Sequence, residues 1–119
     1  MLVRFKKNFE KIAMGLLSFM PEEKDVKKLQ QTIKEYEENS SWELYLWKEE
    51  DILGIIGVRF EEDKVIIQHI SVNPSHRNQG IGKKMVEEVK QLFGEKFKII
   101  ANQQTDRFIN KCENQTKIL

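Results

Sequence analysis

The sequence predicts a single mixed α/β (α+β) domain spanning residues 1–119, with the element order β-α-α-β-β-β-α-β-α around a mixed central sheet. Short runs rich in β-branched and aromatic residues, bounded by turn residues, predict the strands. Longer stretches with apolar residues every three or four positions predict the helices. One strand leads into one helix through a loop with two glycines, and this connection predicts a ligand site as well as a fold.

The composition is typical of a globular chain of one domain. Apolar residues make up 39% and charged residues 33% of the sequence, and the formal net charge is +1. Without a basic excess, no nucleic-acid partner is expected. The single cysteine, Cys112, excludes an internal disulfide and favours a cytoplasmic protein. The apolar run at residues 12–20 is too short to cross a membrane and is expected to be a core helix.

The first part of the chain predicts a strand at residues 2–6 and two helices. Asn8 is predicted to cap a helix over residues 9–19. Pro21 suits the first turn of the second helix. The apolar positions predicted to face the core are Phe9, Ile12, Ala13, Leu16 and Leu17 in the first helix, and Val26, Leu29, Ile33 and Tyr36 in the second.

Three strands follow, at residues 42–48, 52–60 and 65–72, and they predict an antiparallel meander. Gly54 and Gly57 indicate a bulge or a close approach in the second of them. The first strand places Trp42 on one face and Tyr45 and Trp47 on the other. The aromatic side chains of one face are expected in the core. Those of the other face either belong to the core as well or stack on an aromatic or flat substrate.

The segment from Ile70 to Gly82 predicts an anion site. Gly80 and Gly82 fall at the start of a helix, where unpaired backbone N–H groups and the helix dipole favour a negative ligand. Glycine lets a phosphate approach this backbone without meeting a Cβ. Arg77 adds a charge-assisted hydrogen bond to the same anion.

The glycine-containing helix is predicted to end at Gly94 and to lead into a strand at residues 97–101. A strand, a helix and a strand in this order predict a parallel pair. Thr105 is expected to cap a short last helix. The apolar face of the glycine-containing helix consists of Ile81, Met85, Val86, Val89, Leu92 and Phe93.

The pattern Arg77-Asn78-Gln79-Gly80-Ile81-Gly82, after a strand ending Ile70-Ser71-Val72-Asn73-Pro74, resembles the acetyl-CoA motif of the GCN5-related N-acetyltransferase (GNAT) family. Over the whole chain, the sequence also resembles the RibT group, which is encoded with bacterial riboflavin-biosynthesis enzymes. The resemblance implies acetyl transfer from acetyl-CoA to an amine, with a small molecule as the acceptor. It implies no metal, and it suggests a link to riboflavin biosynthesis.

The resemblance also assigns cofactor-binding roles to individual residues. The backbone of the strand end would bond pantetheine and supply an oxyanion donor, and the loop would bind the diphosphate. Asn102 matches a family asparagine that meets the cofactor, with a polar strand-end residue as the alternative. The cofactor-binding residues implied are Ile70, Ser71, Val72, Arg77, Asn78, Gln79, Gly80, Ile81, Gly82 and Asn102.

The sequence does not single out the catalytic residues. Gln68 shares a predicted face with Ile70, and His69 lies on the other face with Ser71, unless a bulge changes the alternation. His69 is a candidate base, with a hydrogen-bonded structural histidine as the alternative. Cys112 is a candidate proton donor, with a buried spectator thiol as the alternative.

The sequence departs from the family pattern near its end. No tyrosine follows Asn102, where relatives carry a general acid, and the two strands that usually end the fold are missing. The fifth strand would then be an edge, which a second subunit or the tail is expected to cover. These departures keep a second function open, a non-catalytic acetyl-CoA-binding regulator. A flavin- or nucleotide-binding module is disfavoured, because the loop lacks the Gly-x-Gly-x-x-Gly spacing.

Overall fold

The computed structural model describes residues 1–109 of the chain. Cys112 lies outside the described residues. The strands are β1 (Leu2–Arg4), β2 (Trp42–Lys48), β3 (Ile52–Glu61), β4 (Lys64–Val72) and β5 (Lys98–Ala101). The helices are α1 (Glu10–Leu17), α2 (Val26–Glu38), α3 (Ile81–Phe93) and α4, which is helical at residues 103–109. Short 3-10 turns occupy Lys7–Phe9, Pro21–Glu23 and Pro74–His76.

The five strands form one mixed sheet in the spatial order β1-β2-β3-β4-β5. The pairs β1–β2, β2–β3 and β3–β4 are antiparallel, and the pair β4–β5 is parallel. The predicted meander and the predicted parallel pair are therefore confirmed. α3 provides the crossover between β4 and β5, as a parallel connection requires.

The sheet carries an apolar layer on each face, as alternating strand side chains predict. α3 covers one face, where Met85 and Val89 pack with Ile56, Ile67 and Ile70. α1 and α2 cover the other face, where the fully buried side chains include Leu17, Ile33, Leu44 and Ile55. Tyr45 and Trp47 of β2 belong to the α3 side and Trp42 packs on the α1/α2 side, so both aromatic faces of β2 are core.

A β-bulge in β4 changes which residues face α3. Gly57 pairs with His69 and Val58 pairs with Ile67, which leaves Gln68 without a partner on β3. A bulge inserts one residue and so reverses the alternation that follows it. Ile67 and Ile70, three residues apart, consequently share the α3 side, and His69 is directed to the α1/α2 side.

Several predicted helix ends are wrong by a few residues. Asn8 lies in a 3-10 turn and does not cap α1, whose N-cap is Phe9. Pro21 starts a separate 3-10 turn, and Asp25 caps α2 by accepting a hydrogen bond from the Lys27 backbone N–H. Three residues predicted to face the core are exposed instead, namely Ile12, Val26 and Leu92.

Candidate active site

β4 and β5 separate halfway along β4, and Asn102 fixes the point of separation. Their pairing ends at Ile67 and Ala101, next to the bulge. The Asn102 side-chain amide donates to the Gln68 carbonyl (3.1 Å), and its Oδ1 accepts from the backbone N–H of Thr105 (2.8 Å). Asn102, and not Thr105 as predicted, therefore caps α4, and the same side chain ties the start of α4 to β4.

The separation leaves a cleft of about 810 Å³ beside the second half of β4. Ile70 and Ser71 of β4 form one side of it. The connection between α1 and α2 and one face of α4 supply the others. The lining residues are Phe19, Met20, Pro21, Glu22, Ile70, Ser71, Arg77, Gln103, Gln104, Asp106, Arg107 and Phe108.

The loop between β4 and α3 carries the features predicted for an anion site. Gly80 has φ +78°, a conformation that L side chains disfavour, and Asn78 also has a positive φ of 67°. No side chain caps the N-terminus of α3, and its first turn holds no acidic residue. A Cβ on Gly80 would meet no atom within 4 Å, so the backbone here is open. An open turn that leads into a helix N-terminus without a side-chain cap fits a diphosphate.

Arg77 connects this loop to the cleft. Its side chain is exposed and lines the cleft, and its guanidinium carbon lies 6.0 Å from the centre of the Phe19 ring. This distance is at the outer limit of a cation–π contact. Arg77 therefore stands between the predicted phosphate site and the α1–α2 connection.

A buried polar network lies directly behind the cleft. Glu23 Oε1 is 3.0 Å from His69 Nε2, and the Tyr36 hydroxyl is 2.6 Å from His69 Nδ1. Thr32 donates to the second carboxylate oxygen of Glu23 (2.9 Å). Glu23 and His69 are each only 3% exposed. We call these four residues the Glu23 network.

The partners of Glu23 define the hydrogen-bond directions at its carboxylate. An ionised carboxylate only accepts, so Nε2 of His69 and the Thr32 hydroxyl both donate to it. Nδ1 of His69 forms its hydrogen bond with the Tyr36 hydroxyl. Burial raises the Glu23 pKa, but hydrogen bonds from His69 and Thr32 and the attraction of His69 and Lys28 outweigh it, so the pKa is lowered. Burial, aided by the Glu23 charge, raises the Tyr36 pKa well above its usual range.

The Tyr36 hydroxyl reaches His69 because β3 has a glycine at the crossing point. A Cβ on Gly57 would overlap the Tyr36 hydroxyl and the ring carbon that bears it. Gly57 is also the residue that pairs with His69 across the sheet. The predicted close approach at Gly57 is thus an aromatic side chain from α2 passing over β3.

The predicted site residues fall into three groups. Ile70, Ser71 and Arg77 line the cleft, whereas Val72 is buried in the α3-side core. The loop residues Asn78, Gln79, Gly80, Ile81 and Gly82 lie together at the start of α3 but do not line the cleft. Among the catalytic candidates, Gln68 accepts a hydrogen bond from Arg59 (2.9 Å), and His69 has both ring nitrogens engaged.

Sequence reasoning missed the residues that form the other walls of the cleft. Phe19 was predicted only as the end of the first helix, and no part in a site was predicted for Glu22, Asp106 or Phe108. Glu23, in the charged run Glu22-Glu23-Lys24-Asp25, gave no sign of burial. Only the break between two helices at Pro21 indicated that the chain turns there.

Residues 1–109 lack two further features. No group of three or more histidine, cysteine, aspartate or glutamate side chains in this part is arranged to hold a metal ion. Within the same range, no helix combines the length and hydrophobicity needed to span a bilayer.

Comparison with known proteins defines the class. The family model described as acetyltransferase (GNAT) family matches residues 9–113, and the chain belongs to this family. It is therefore an N-acetyltransferase by family. A curated relative, the uncharacterized N-acetyltransferase in the lysA 3′ region of Bacillus methanolicus, is 61% identical over 115 residues, which cover 95% of each chain.

Solved structures share the fold at low sequence identity. A possible acetyltransferase from Clostridium difficile 630 superposes with a TM-score of 0.77 at 12% identity, covering 100% of this chain and 89% of that one. AAC(6')-Iy, bound to the bisubstrate analogue CoA-S-monomethyl-acetylneamine, gives 0.74 at 14% identity, covering 98% and 87%. The predicted acetyltransferase fold is confirmed.

Proposed function

We propose that the protein transfers the acetyl group of acetyl-CoA to the amine of a small molecule. The observation that carries this proposal is the cleft at the separation of β4 and β5, next to the uncapped N-terminus of α3. Ile70 and Ser71 line the cleft beyond the last β4–β5 pair, where a strand-like pantetheine arm can pair with β4. The open loop at Gly80 supports binding of the diphosphate.

The reaction needs little from the protein beyond positioning. The amine lone pair attacks the thioester carbonyl carbon, a C–N bond forms, the C–S bond breaks and CoA thiolate leaves. The amine loses one proton and the thiolate gains one, so the overall balance needs no other reactant. A backbone N–H of β4 facing the cleft can stabilise the negative oxygen of the intermediate.

Proton transfer is assigned to carboxylates that line the cleft. Glu22 and Asp106 supply carboxylates among the lining residues, and either can accept the amine proton directly or through water. His69 has both nitrogens engaged and does not line the cleft, so its engaged ring does not favour direct proton abstraction. The described part of α4 contains no tyrosine, and general acid help is typically worth about 10²–10⁴-fold. We therefore expect slow turnover.

The acceptor is proposed from chemistry and resemblance together. The cleft combines carboxylates with the aromatic rings of Phe19 and Phe108, which suits a small amine with an apolar or flat body. Amines of the riboflavin pathway belong in a test panel because of the sequence resemblance. Aminoglycosides belong there because AAC(6')-Iy is described as an aminoglycoside N-acetyltransferase.

Calorimetry and a thiol-release assay test this function. Titration with acetyl-CoA should give saturable binding, and Arg77→Ala should weaken it by about tenfold, equal to about 1.4 kcal/mol. Arg77→Lys keeps the charge but cannot form two parallel hydrogen bonds, so its affinity for acetyl-CoA should lie between those of the wild type and Arg77→Ala. Release of CoA should depend on one class of amine. Absence of acetyl-CoA binding by the wild-type protein would refute the proposal.

A second function, acetyl-CoA binding without catalysis, has one specific observation in its favour. The histidine best suited to act as a base is closed off on both sides by Glu23 and Tyr36. In that case acetyl-CoA would bind as a signal and alter a partner. Tight acetyl-CoA binding, with thiol release equal to the buffer background for every amine tested, would favour this function.

The outer edge of β5 supports one proposal about assembly. β5 is the last strand of the described sheet, and Ile99 and Ile100 are half-buried there. We expect a second copy of the chain to cover this edge, since exposed edge strands invite pairing. A dimeric mass in solution with slow amide exchange at Ile99 and Ile100 would support this arrangement. A monomeric mass with fast exchange would contradict it.

A further inference from the structure

We propose that Glu23 and His69 are positioning residues that fix the cleft wall formed by residues 19–22 against β4. The inference rests on the proposed acetyl transfer, because it assigns this wall a part in holding the reactants. The Glu23 network performs no proton transfer with substrate in this scheme. It sets the distance between two sides of the cleft.

The two anchoring residues are next to the lining residues in the chain. Glu23 directly follows Glu22 and Pro21, which line the cleft, and its backbone N–H donates to the Met20 carbonyl (3.0 Å). His69 directly precedes Ile70 and Ser71, which line the opposite side. The 3.0 Å contact between Glu23 and His69 therefore joins the two sides from behind.

Little else holds this wall in place. Phe19 is 43% exposed, and Pro21 and Glu22 are exposed as well. Met20 is buried in the α1/α2-side core and anchors one end of the wall. Glu23 anchors the other end, and it does so by hydrogen bonds to β4 and α2 rather than by apolar packing.

The arrangement of donors makes the anchor specific in geometry. Glu23 receives one hydrogen bond on each oxygen, from Thr32 and from His69, and Tyr36 fixes the rotation of the imidazole from its other side. None of the buried side-chain polar atoms within residues 1–109 is left without a partner. A carboxylate held at both oxygens in a buried site has one favoured position, and the wall takes its position from it.

Glu23→Ala is the direct test, and Glu23→Gln is the conservative variant. Alanine removes both acceptors, whereas glutamine keeps the shape and one oxygen that can accept from His69. Ile33→Val is the matched control, since the Ile33 side chain is buried on α2 and, being apolar, makes no hydrogen bond in the Glu23 network. Amide exchange of residues 19–24, followed by mass spectrometry, reports the order of the wall. Calorimetry with acetyl-CoA reports the diphosphate site at α3.

We expect Glu23→Ala to speed exchange of residues 19–24 at least tenfold and to leave the acetyl-CoA dissociation constant within twofold. With an amine that the wild-type protein acetylates, its KM for that amine should rise at least tenfold while the KM for acetyl-CoA stays unchanged. Glu23→Gln should restore most of both properties. Ile33→Val should change neither, although it lowers stability.

Other outcomes overturn the inference in distinguishable ways. If residues 19–24 exchange their amide protons at the wild-type rate in Glu23→Ala, the network does not position the wall. The same conclusion follows if Ile33→Val speeds their exchange as much as Glu23→Ala does. If Glu23→Ala fails to fold, Tyr36→Phe removes a single hydroxyl and should speed exchange of the wall by a smaller factor. No change there overturns the inference as well. If the wild-type protein does not bind acetyl-CoA, that result refutes the proposed function instead.

Discussion

The Tyr36 hydroxyl lies 2.6 Å from Nδ1 of His69, although α2 and β4 are separated by the width of β3. The contact exists because Gly57 has no side chain at the crossing point. The tyrosine ring also packs edge-on against Trp42, at 5.2 Å between centroids. One glycine thus allows a helix side chain to determine the orientation of a histidine next to the cleft.

Gly57→Ala should lower the free energy of unfolding by about 1–3 kcal/mol, as expected for overpacking. Its new methyl group would occupy the space of the Tyr36 hydroxyl. In the Tyr36→Phe background the same change should cost less, by at least about 0.5 kcal/mol, because no hydrogen bond then holds the ring. Urea unfolding of the four proteins measures this coupling.

Gly54→Ala is the control for that cycle. Its methyl group would lie 3.1 Å from the flexible end of Met85, which can move aside, and 3.2 Å from the Ser71 carbonyl oxygen. Neither contact is an overlap like that at Gly57, so the cost should be smaller. Additive effects of Gly57→Ala and Tyr36→Phe would show that the glycine does not serve the tyrosine.

Stability should fall in acid in a way that depends on Glu23. The Glu23 pKa lies below its ordinary value of 4.5 in the folded state, so the unfolded chain takes up the proton first as the pH drops. The stabilisation from Glu23 is complete above pH 4.5 and is lost as the pH falls through the folded-state pKa. The groups around this carboxylate are His69, Thr32 and Lys28, with Tyr36 beyond His69.

Urea unfolding between pH 7 and pH 3 measures this effect. The slope of stability against pH below 4.5 should be smaller in Glu23→Gln than in the wild-type protein. Glu22→Gln removes the neighbouring, exposed carboxylate and should keep the wild-type slope. Equal slopes in all three proteins would contradict the prediction.

Gly82→Val should weaken acetyl-CoA binding by at least tenfold, which is about 1.4 kcal/mol. The branched side chain would crowd the buried position 82 in the first turn of α3 and displace the backbone N–H groups that are expected to meet the diphosphate. Gly15→Ala serves as the control, because a Cβ there meets no atom within 4 Å. Unchanged affinity in a folded Gly82→Val variant would remove the loop from the site.

Asn102→Ala should lower stability by about 0.5–2 kcal/mol, the usual cost of losing an N-cap. Asn102→Asp keeps an oxygen that can accept from Thr105 but loses the donor to the Gln68 carbonyl. Its stability should therefore lie between those of Asn102→Ala and the wild type. Calorimetry with acetyl-CoA on the same variants tests the cofactor contact that the family resemblance implies. If aspartate and alanine are equally destabilising, the contact to β4 matters more than the cap.

The strand–loop–helix unit around Gly80 could be predicted from the sequence because its signals are local. β-branched residues, two glycines and an amphipathic run follow each other without interruption, and β4, α3 and the parallel β5 lie where those signals indicate. Helix ends were less predictable. Asn8 and Asp25 are both residue types that suit an N-cap, but only Asp25 caps the helix that follows it.

The Glu23 network could not be predicted, because its members interact over long distances in the chain. Glu23 and His69 are 46 positions apart, and Tyr36 and His69 are 33 apart. Glu23 lies in a charged run that looks solvated, and burial of such a residue depends on partners that folding brings to it. The side that His69 faces depends on the bulge at Gln68, which no alternating pattern reveals in advance.

The unpaired Gln68 makes the register of β4 as important as its composition. If this residue were taken up into regular pairing with β3, everything after it would rotate by half a turn of the strand, bringing Ile70 and Val72 towards α1 and α2 and sending His69 into the layer beneath α3. A variant that straightens the strand without losing a residue would therefore present the wrong side chains to both faces of the sheet.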